Sequence, residues 1–270
     1  PTFDRILDVT LSKVGGKGLF VKEIEQALID REIDFAVHSM KDMPAKLPDG
    51  LIIGCVPKRE DPRDAFLARC GWTLTTLPAG SRLGTSSLRR SCQLMRLRPD
   101  LVVEPLRGNI DTRIARLRQG DFDAIVLAAA GLRRMGRSGE IAEIIPADTC
   151  IPAVGQGALA LECRAGDDEL LELLSLCHDR PTGAAVASER AFLAALDGGC
   201  QVPIGAYAEM RADGRTLRLT GFVGTPDWSV LLRDSLEGEQ PEALGAALGE
   251  ALLARGAAEI LAKAREGADA

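Results

Sequence analysis

Apolar positions along much of this chain follow two alternating rhythms. From Leu19 to Asp30 they recur at helical spacing, with Phe20, Ile24, Ala27 and Leu28 on one face, which predicts a helix. Ile33–Val37 is a short run of strand type that ends in His38-Ser39-Met40-Lys41-Asp42-Met43-Pro44, and Leu51–Val56 is a further strand. A second group opens at Arg82-Leu83-Gly84, a strand end, followed by Thr85-Ser86-Ser87 as the N-cap signal of a helix that runs to about Arg98. Leu101–Leu106 predicts a strand, Asp111–Gln119 a helix closed by Gly120, and Ala124–Ala128 a buried strand. Ala158–Cys163 reads as a strand that returns to the first group. Strand and helix alternating in this way predict an α/β fold built on doubly wound parallel sheets.

After Asp179-Arg180-Pro181 the pattern changes. A helix from Thr182 to Leu196 runs into Gly198-Gly199-Cys200, and three strands follow at Ile204–Met210, Leu217–Val223 and Val230–Asp234. Ala212-Asp213-Gly214 and Pro226-Asp227 supply the turns, which makes the strands antiparallel neighbours. A helix from Pro241 to Lys263 ends the pattern. The expected division is two α/β domains, residues 1–57 with 158–175 and residues 63–151, followed by an α+β domain over 180–270 with a three-stranded antiparallel sheet. Arg59–Asp64 and Ile151–Gly157 are the expected crossings between the first two.

Composition narrows the class. The chain has 270 residues, 46% hydrophobic and 27% charged, which is ordinary for a globular protein. No apolar run approaches the ~18 residues needed to span a bilayer, and no secretory segment opens the chain. Seven cysteines without a Cys-x-x-Cys pair argue for a reducing, cytoplasmic setting. His38 and His178 are the only histidines and lie far apart, so no metal site is expected.

Charge is spread unevenly. The net charge is −6, yet the stretch from Arg82 to Arg137 holds twelve arginines, no lysine and five acids. Arginine suits forked recognition of planar anions. Arg96, Arg98, Arg116 and Arg118 fit solvated helix faces. Arg89 and Arg90 do not, because cations in the first turn of a helix oppose its macrodipole and make sense beside a bound anion. Arg107 and Arg134 each follow a strand and so face the same crevice, as do Lys41 and Asp42, since ligands in open sheets sit beyond the carboxyl ends of strands. A Lys-Asp pair alone is equally a surface turn, and Cys200 alone is equally a small buried hydrophobe.

Seven stretches together resemble the hydroxymethylbilane synthase (porphobilinogen deaminase) family: KVGGKGLF at 13–20, AVHSMKDMP at 36–44, REDPRDAF at 59–66, GTSSLRRSCQ at 84–93, LRGN at 106–109, PAVGQGA at 152–158 and GGCQVPIG at 198–205. The resemblance runs nearly end to end. It implies two α/β domains like those of periplasmic binding proteins plus the α+β domain. It also implies a transferase that joins four porphobilinogens head to tail, with release of ammonia, on a dipyrromethane cofactor. By resemblance that cofactor is held through a thioether to Cys200. Asp42 matches the catalytic aspartate, with Lys41 beside it. Ser39, Lys41, Asp42, Thr85, Ser87, Arg89 and Arg90 match groups that hold the cofactor. Arg107, Arg113, Arg134 and Gln156 match groups that bind porphobilinogen and the growing chain. The segment from about Ile6 to Gly18 matches a lid, and a monomer is expected. The resemblance also places about 40 residues, a strand–helix–strand unit with an Arg-x-Ser segment, ahead of the point where this sequence opens.

Two other readings compete. A hinged anion-binding protein without catalysis would share the first two domains, but Asp42 and Cys200 have no place in it. A nucleic-acid binder needs stacking platforms, and aromatics are 4% of a chain whose net charge is negative.

Overall fold

The computed structural model describes residues 16–44, 46–197 and 202–269. Its elements fall on three sheets. The first carries β1 (Phe35–Ser39), β2 (Leu51–Cys55) and β8 (Leu159–Arg164) in the order β1-β8-β2, with α1 (Gly16–Ile29) and α5 (Asp168–Ser175) against it. Helix α1 starts at Gly16, inside the stretch expected to be a loop. Ile24 and Leu28 seat it on Ala36 and Leu51, and Arg164 caps its end by donating to the carbonyls of Leu28 and Ile33 at 2.9 and 2.8 Å.

The second sheet has the order β5-β4-β6-β3-β7, formed by β3 (Asp64–Ala68), β4 (Arg82–Gly84), β5 (Val102–Glu104), β6 (Ala124–Ala128) and β7 (Glu143–Ile145). Helices α2 (Leu88–Leu97), α3 (Ile110–Gln119) and α4 (Ala129–Arg134) connect its strands. Strands β4, β5 and β6 are parallel, whereas β3 and β7 run antiparallel to their neighbours. In the first sheet β8 is antiparallel to both β1 and β2. The sheets therefore depart from the all-parallel expectation where the chain crosses over. Strand β3 enters the second sheet from the first crossing and β8 re-enters the first sheet from the second, each against its neighbours. β3 is buried along nearly its whole length and shows no alternation, so its sequence pattern does not mark it as a strand.

The third sheet is the antiparallel meander β9 (Ile204–Met210), β10 (Leu217–Gly224) and β11 (Leu231–Gly238), covered by α6 (Arg180–Ala195) and α7 (Pro241–Leu252). Phe192, Leu219, Leu248 and Leu252 are fully buried between them, and each such side chain contributes about 1.5–3 kcal/mol. Gly245 lets the two helices touch, since a Cβ there would meet Ala191 Cβ at 2.6 Å and the Phe192 amide nitrogen at 2.7 Å. The expected single terminal helix is interrupted. A wider turn over Leu253–Ala257, with Gly256 at φ 103°, separates α7 from α8 (Ala258–Asp269).

The third unit packs on both of the others. Val186 of α6 joins Met40, Met43, Val56, Ala158 and Ala160 of the first, while Phe222 of β10 packs with Cys92 and Ile151. Among the described residues, no helix is long and apolar enough to cross a membrane.

One polar cluster lies inside the first unit. His38 Nε2 and Glu162 Oε2 approach to 2.9 Å, with side chains 8% and 0% exposed, and Glu25 is buried close by. Burial, and then Glu25, push the Glu162 carboxyl up to about 7. Burial lowers His38, with Glu25 opposing. Both directions favour a neutral acid facing a neutral imidazole. The folded state thus holds the Glu162 proton more tightly than the unfolded chain. Its stabilisation is full below the ordinary value of 4.5 and is lost as pH rises through about 7. His38 acts oppositely, removing stability as pH falls below its ordinary 6.5. We expect Glu162→Gln to flatten the fall in melting temperature between about pH 5 and 8. Superimposable pH profiles of the two proteins would show that Glu162 is not protonated in the fold.

Candidate functional site

The site is assembled at strand ends and at the two crossings. β1 ends at Ser39, and a 3-10 turn over Met40–Asp42 follows at once, closed by the Met43 amide donating to the Met40 carbonyl. Met40 and Met43 are buried, so the turn is anchored on both sides while Ser39, Lys41 and Asp42 stay accessible. Gly155 of the second crossing, at φ 69°, lies against Met40, and a side chain there would meet the Met40 Cβ at 2.9 Å.

At the end of β4 the segment Thr85–Ser87 leads into α2. Thr85 is buried and its hydroxyl accepts from the Ser87 amide at 3.2 Å. Ser87 occupies the N-cap position, but its hydroxyl makes no cap bond. Arg89 and Arg90 lie in the first turn and are 6% and 7% exposed. The anion they face in this structure belongs to the chain itself. Asp64, the first residue of β3, is fully buried and accepts from Arg89 at 2.8 and 3.1 Å and from Arg90 at 3.0 and 2.8 Å. Burial alone would raise the Asp64 carboxyl, and the two arginines outweigh it and hold it well below the usual carboxylate range. The same burial, with Asp64 at 3.4 Å, pushes the Cys150 thiol up to about 12.

Gln156, 1% exposed, also points at Asp64, donating to Oδ1 at 2.9 Å and to the Pro62 carbonyl at 2.6 Å. Arg134, at the end of α4, is exposed and donates to the Gly157 carbonyl at 2.7 Å. Arg113 on α3 is half-buried and donates to the Gly108 carbonyl at 2.7 Å; burial and then Arg90 lower its pKa. Arg107 is half-buried beyond the end of β5. Lys41 is open to solvent at its surface yet crowded by protein on most sides. That desolvation, followed by Arg90, brings its ammonium down to about 8, with Asp42 and Asp64 opposing and Arg89 adding to the fall. Lys41, Asp42, Arg89, Arg90, Arg113 and Asp64 therefore share one electrostatic neighbourhood.

Cys200 lies outside the described residues, as does most of the expected lid. The chain on either side of Cys200 is placed. Arg190 of α6 donates to the Pro44 carbonyl at 2.8 Å, two residues past Asp42, and burial lowers its pKa. Beyond the loop, Ala206 donates to the Pro152 carbonyl at 3.1 Å, and a Cβ on Gly205 would fall 2.8 Å from that same oxygen. The helix before the loop thus contacts Pro44, and the strand after it contacts the second crossing.

Sequence reasoning missed Asp64, Arg190 and Glu189. Glu189 is fully buried and accepts from Arg59 at 2.6 and 3.1 Å, from the Gly155 amide at 2.7 Å and from the Ala208 amide at 2.9 Å. Asp64 ends a charged stretch, directly before the apolar run 65–68, and so gave no signal of its burial; an acid on the inner face of a helix was the available signal for Glu189. Of the arginines read as solvated, Arg96 donates to the carbonyls of Trp228 and Ser229, and Arg98 to Asp100 and the carbonyls of Leu74 and Leu77. Among the described residues no group of three or more His, Cys, Asp or Glu side chains is placed to hold a metal.

A family model described as "Porphobilinogen deaminase, dipyromethane cofactor binding domain" matches residues 2–172, and one described as "Porphobilinogen deaminase, C-terminal domain" matches residues 184–254. The porphobilinogen deaminase of Brevibacillus brevis is 60% identical over 260 residues, covering 96% of this chain and 84% of its own length. Those of Halalkalibacterium halodurans and Bacillus thuringiensis are 55% and 56% identical over 265 residues, 98% of this chain and 85% of theirs. Among solved structures, an arginine-specific periplasmic binding protein of Salmonella typhimurium covers 59% of this chain and 70% of its own at 14% identity, with a TM-score of 0.36. The periplasmic VFT2 domain of Bordetella pertussis BvgS covers 63% and 72% at 17% identity, with a TM-score of 0.36. These two structural likenesses are too slight to carry an argument. The sequence matches span both sides of the cleft, the crossings and the third sheet, and on them the chain belongs to the porphobilinogen deaminase family.

Proposed function

We propose that this chain performs the family's reaction at the Lys41–Asp42 turn. The reaction belongs to tetrapyrrole biosynthesis: four porphobilinogens are joined head to tail into hydroxymethylbilane, with loss of ammonia, on a dipyrromethane primer. The observation that carries this reading is that Lys41 of the turn lies within electrostatic range of Asp42, Asp64, Arg89 and Arg90, with Arg190 bonded to the Pro44 carbonyl two residues on. Lys41, Arg113 and Arg190 all have their charged forms disfavoured by burial. Cations held in that state are stabilised by an arriving anion, and every pyrrole unit of this substrate brings carboxylates.

The donor set fits the cofactor. Lys41, Ser39, Thr85 and Ser87, with Arg89 and Arg90 behind them, would hold its carboxylates, and Cys200 would hold it covalently. When bound, the dipyrromethane supplies the pyrrole carbon on which the chain is extended. Asp42 as a carboxylate beside the pyrrole nitrogen of porphobilinogen would stabilise the positive charge left when ammonia departs and accept the proton lost on coupling. Arg107, Arg113 and Arg134 would orient the carboxylates of the incoming unit. Arg134 reaches the second crossing through the Gly157 carbonyl, which supports a part in adjusting the cleft as the product lengthens. Gln156 was expected to touch substrate, but its burial against Asp64 supports a role in holding the arginines in place. The division of the chain into domains at 1–57 with 158–175, 63–151 and 180–270, the monomeric state and a cytoplasmic location belong to the same reading.

Two outcomes are expected. Asp42→Asn keeps shape and removes charge, so turnover should fall by about 10²–10⁴-fold while intact mass still shows the two-pyrrole adduct. Turnover within tenfold of the parent would remove Asp42 from the chemistry. Cys200→Ser should carry no adduct and no activity, because a serine hydroxyl is a far weaker nucleophile near neutral pH. Four of the other six cysteines are poorly suited: Cys55, Cys92, Cys150 and Cys163 are fully buried, and burial pushes the Cys92 thiol up to about 11. Cys70 and Cys177 are exposed, so the mapping must discriminate against them. Peptide mapping that finds the adduct on a cysteine other than Cys200 would overturn the anchor.

A further inference from the structure

The buried carboxylate of Asp64 has no part in the chemistry above, yet it is the most heavily coordinated side-chain group near the site. Its Oδ1 accepts from Arg90 Nε at 3.0 Å, Arg90 Nη2 at 2.8 Å, Arg89 Nη2 at 3.1 Å and Gln156 Nε2 at 2.9 Å. Its Oδ2 accepts from Arg89 Nη1 at 2.8 Å and lies 3.4 Å from the Cys150 sulfur. Arg89 is gripped fork to fork, the geometry that fixes a guanidinium plane most firmly, while Arg90 directs its Nε and Nη2 at the single oxygen Oδ1. Backbone carbonyls complete the hold: Arg89 also donates to Ile151 at 2.8 Å and Arg90 to Val126 at 3.0 Å. Each guanidinium has five N–H donors, so both keep donors in hand after these bonds.

We infer that Asp64 is a positioning residue for the reaction: it aims Arg89 and Arg90 and ties them through Gln156 to the second crossing. The inference rests on the reading that the arginines face the ligand's carboxylates. Three observations support it. First, one carboxylate offsets only one of two buried guanidinium charges, so the pair stays anion-seeking without being free to swing. Second, Asp64 opens β3 directly after the first crossing, and Gln156 lies in the second, so the arginines are referenced to both connections between the α/β units. Third, Lys41 feels Arg90, Asp64 and Arg89, which places the clamp within electrostatic range of the catalytic turn.

The test compares Asp64→Asn and Asp64→Glu with the parent, with turnover expressed per adduct-bearing molecule as counted by intact mass. A parent without an adduct would refute the functional reading itself, apart from this inference. With the parent loaded, Asp64→Asn should lower turnover per loaded molecule by about 100-fold, the scale of an ångström-sized misplacement of groups near the reacting centre. Asp64→Glu keeps the charge but shifts it by one methylene, and should fall between the two. A purely structural acid would lower melting temperature and yield but leave turnover per loaded molecule unchanged, and that result overturns the inference. If Asp64→Asn does not fold, Asp64→Glu decides alone: a loss of at least about tenfold per loaded molecule supports positioning, and parental turnover refutes it. Native mass spectra give a second readout, because mis-aimed arginines should broaden the spread of partly extended chains, whereas an unchanged spread counts against the role.

Discussion

The contact between Arg59 and Glu189 joins all three parts of the molecule. Glu189 has no access to water and receives both ends of the Arg59 guanidinium, so the two side chains satisfy one another. Arg59 lies in the first crossing, and its Nε donates to the carbonyl of Gln156 in the second at 2.8 Å. The same Glu189 accepts from Gly155 of the second crossing and from Ala208 of the third sheet, and Arg59 stacks on Tyr207 of that sheet at 5.3 Å. One ion pair thus fixes where two connections pass over the helix that ends at the Cys200 loop. Removing one partner of such a pair typically costs about 3–5 kcal/mol, because the other is stranded, and here the loss would fall on the geometry between the units as much as on any one core.

That constraint explains why the crossings are rich in polar residues yet closely packed. Gly157 has φ 88°, and a side chain there would fall 3.1 Å from the Asp61 carbonyl oxygen of the other crossing. Glu60 and Asp61 pair with Arg133 at 3.0 and 2.9 Å, tying the end of α4 to the same place. Hydrophobic burial stabilises each unit by itself, but it has no direction. The angle between the units depends on forked arginine–carboxylate contacts, which do.

How much of this was legible follows from what each residue type can announce. Helical spacing located α1, α3 and α6 closely, and the meander β9–β11 was plain from its turns. β3 and β7 were not marked, since one is buried almost throughout and the other is three residues long. Arg89 and Arg90 were legible as cations in an electrostatically wrong place, and the inference that an anion must face them was sound physics. That the anion in this structure is Asp64, 25 and 26 residues away in sequence, is a tertiary fact that spacing cannot reveal. Glu189 was hidden for the same reason: its partners are a loop arginine and two backbone amides from elsewhere in the chain. The Lys41–Asp42 turn gained its meaning only from the family motifs.

Charge balance links this architecture to its chemistry. Among the described residues Lys41, Arg89, Arg90 and Arg113 are grouped with Asp42 and Asp64, and the surplus is positive in a protein whose net charge is −6. Holding such a group together costs free energy, because free side chains would separate to relieve repulsion. Asp64 immobilises two of them, and the Gly108 carbonyl restrains Arg113. Burial first, and repulsion from Arg90 second, make Lys41 and Arg113 release protons more readily than they would in water. A substrate that brings carboxylates relieves this strain on binding, and each added pyrrole brings more of them. On the proposed placement, this cluster therefore favours a ligand that carries carboxylates over a neutral pyrrole.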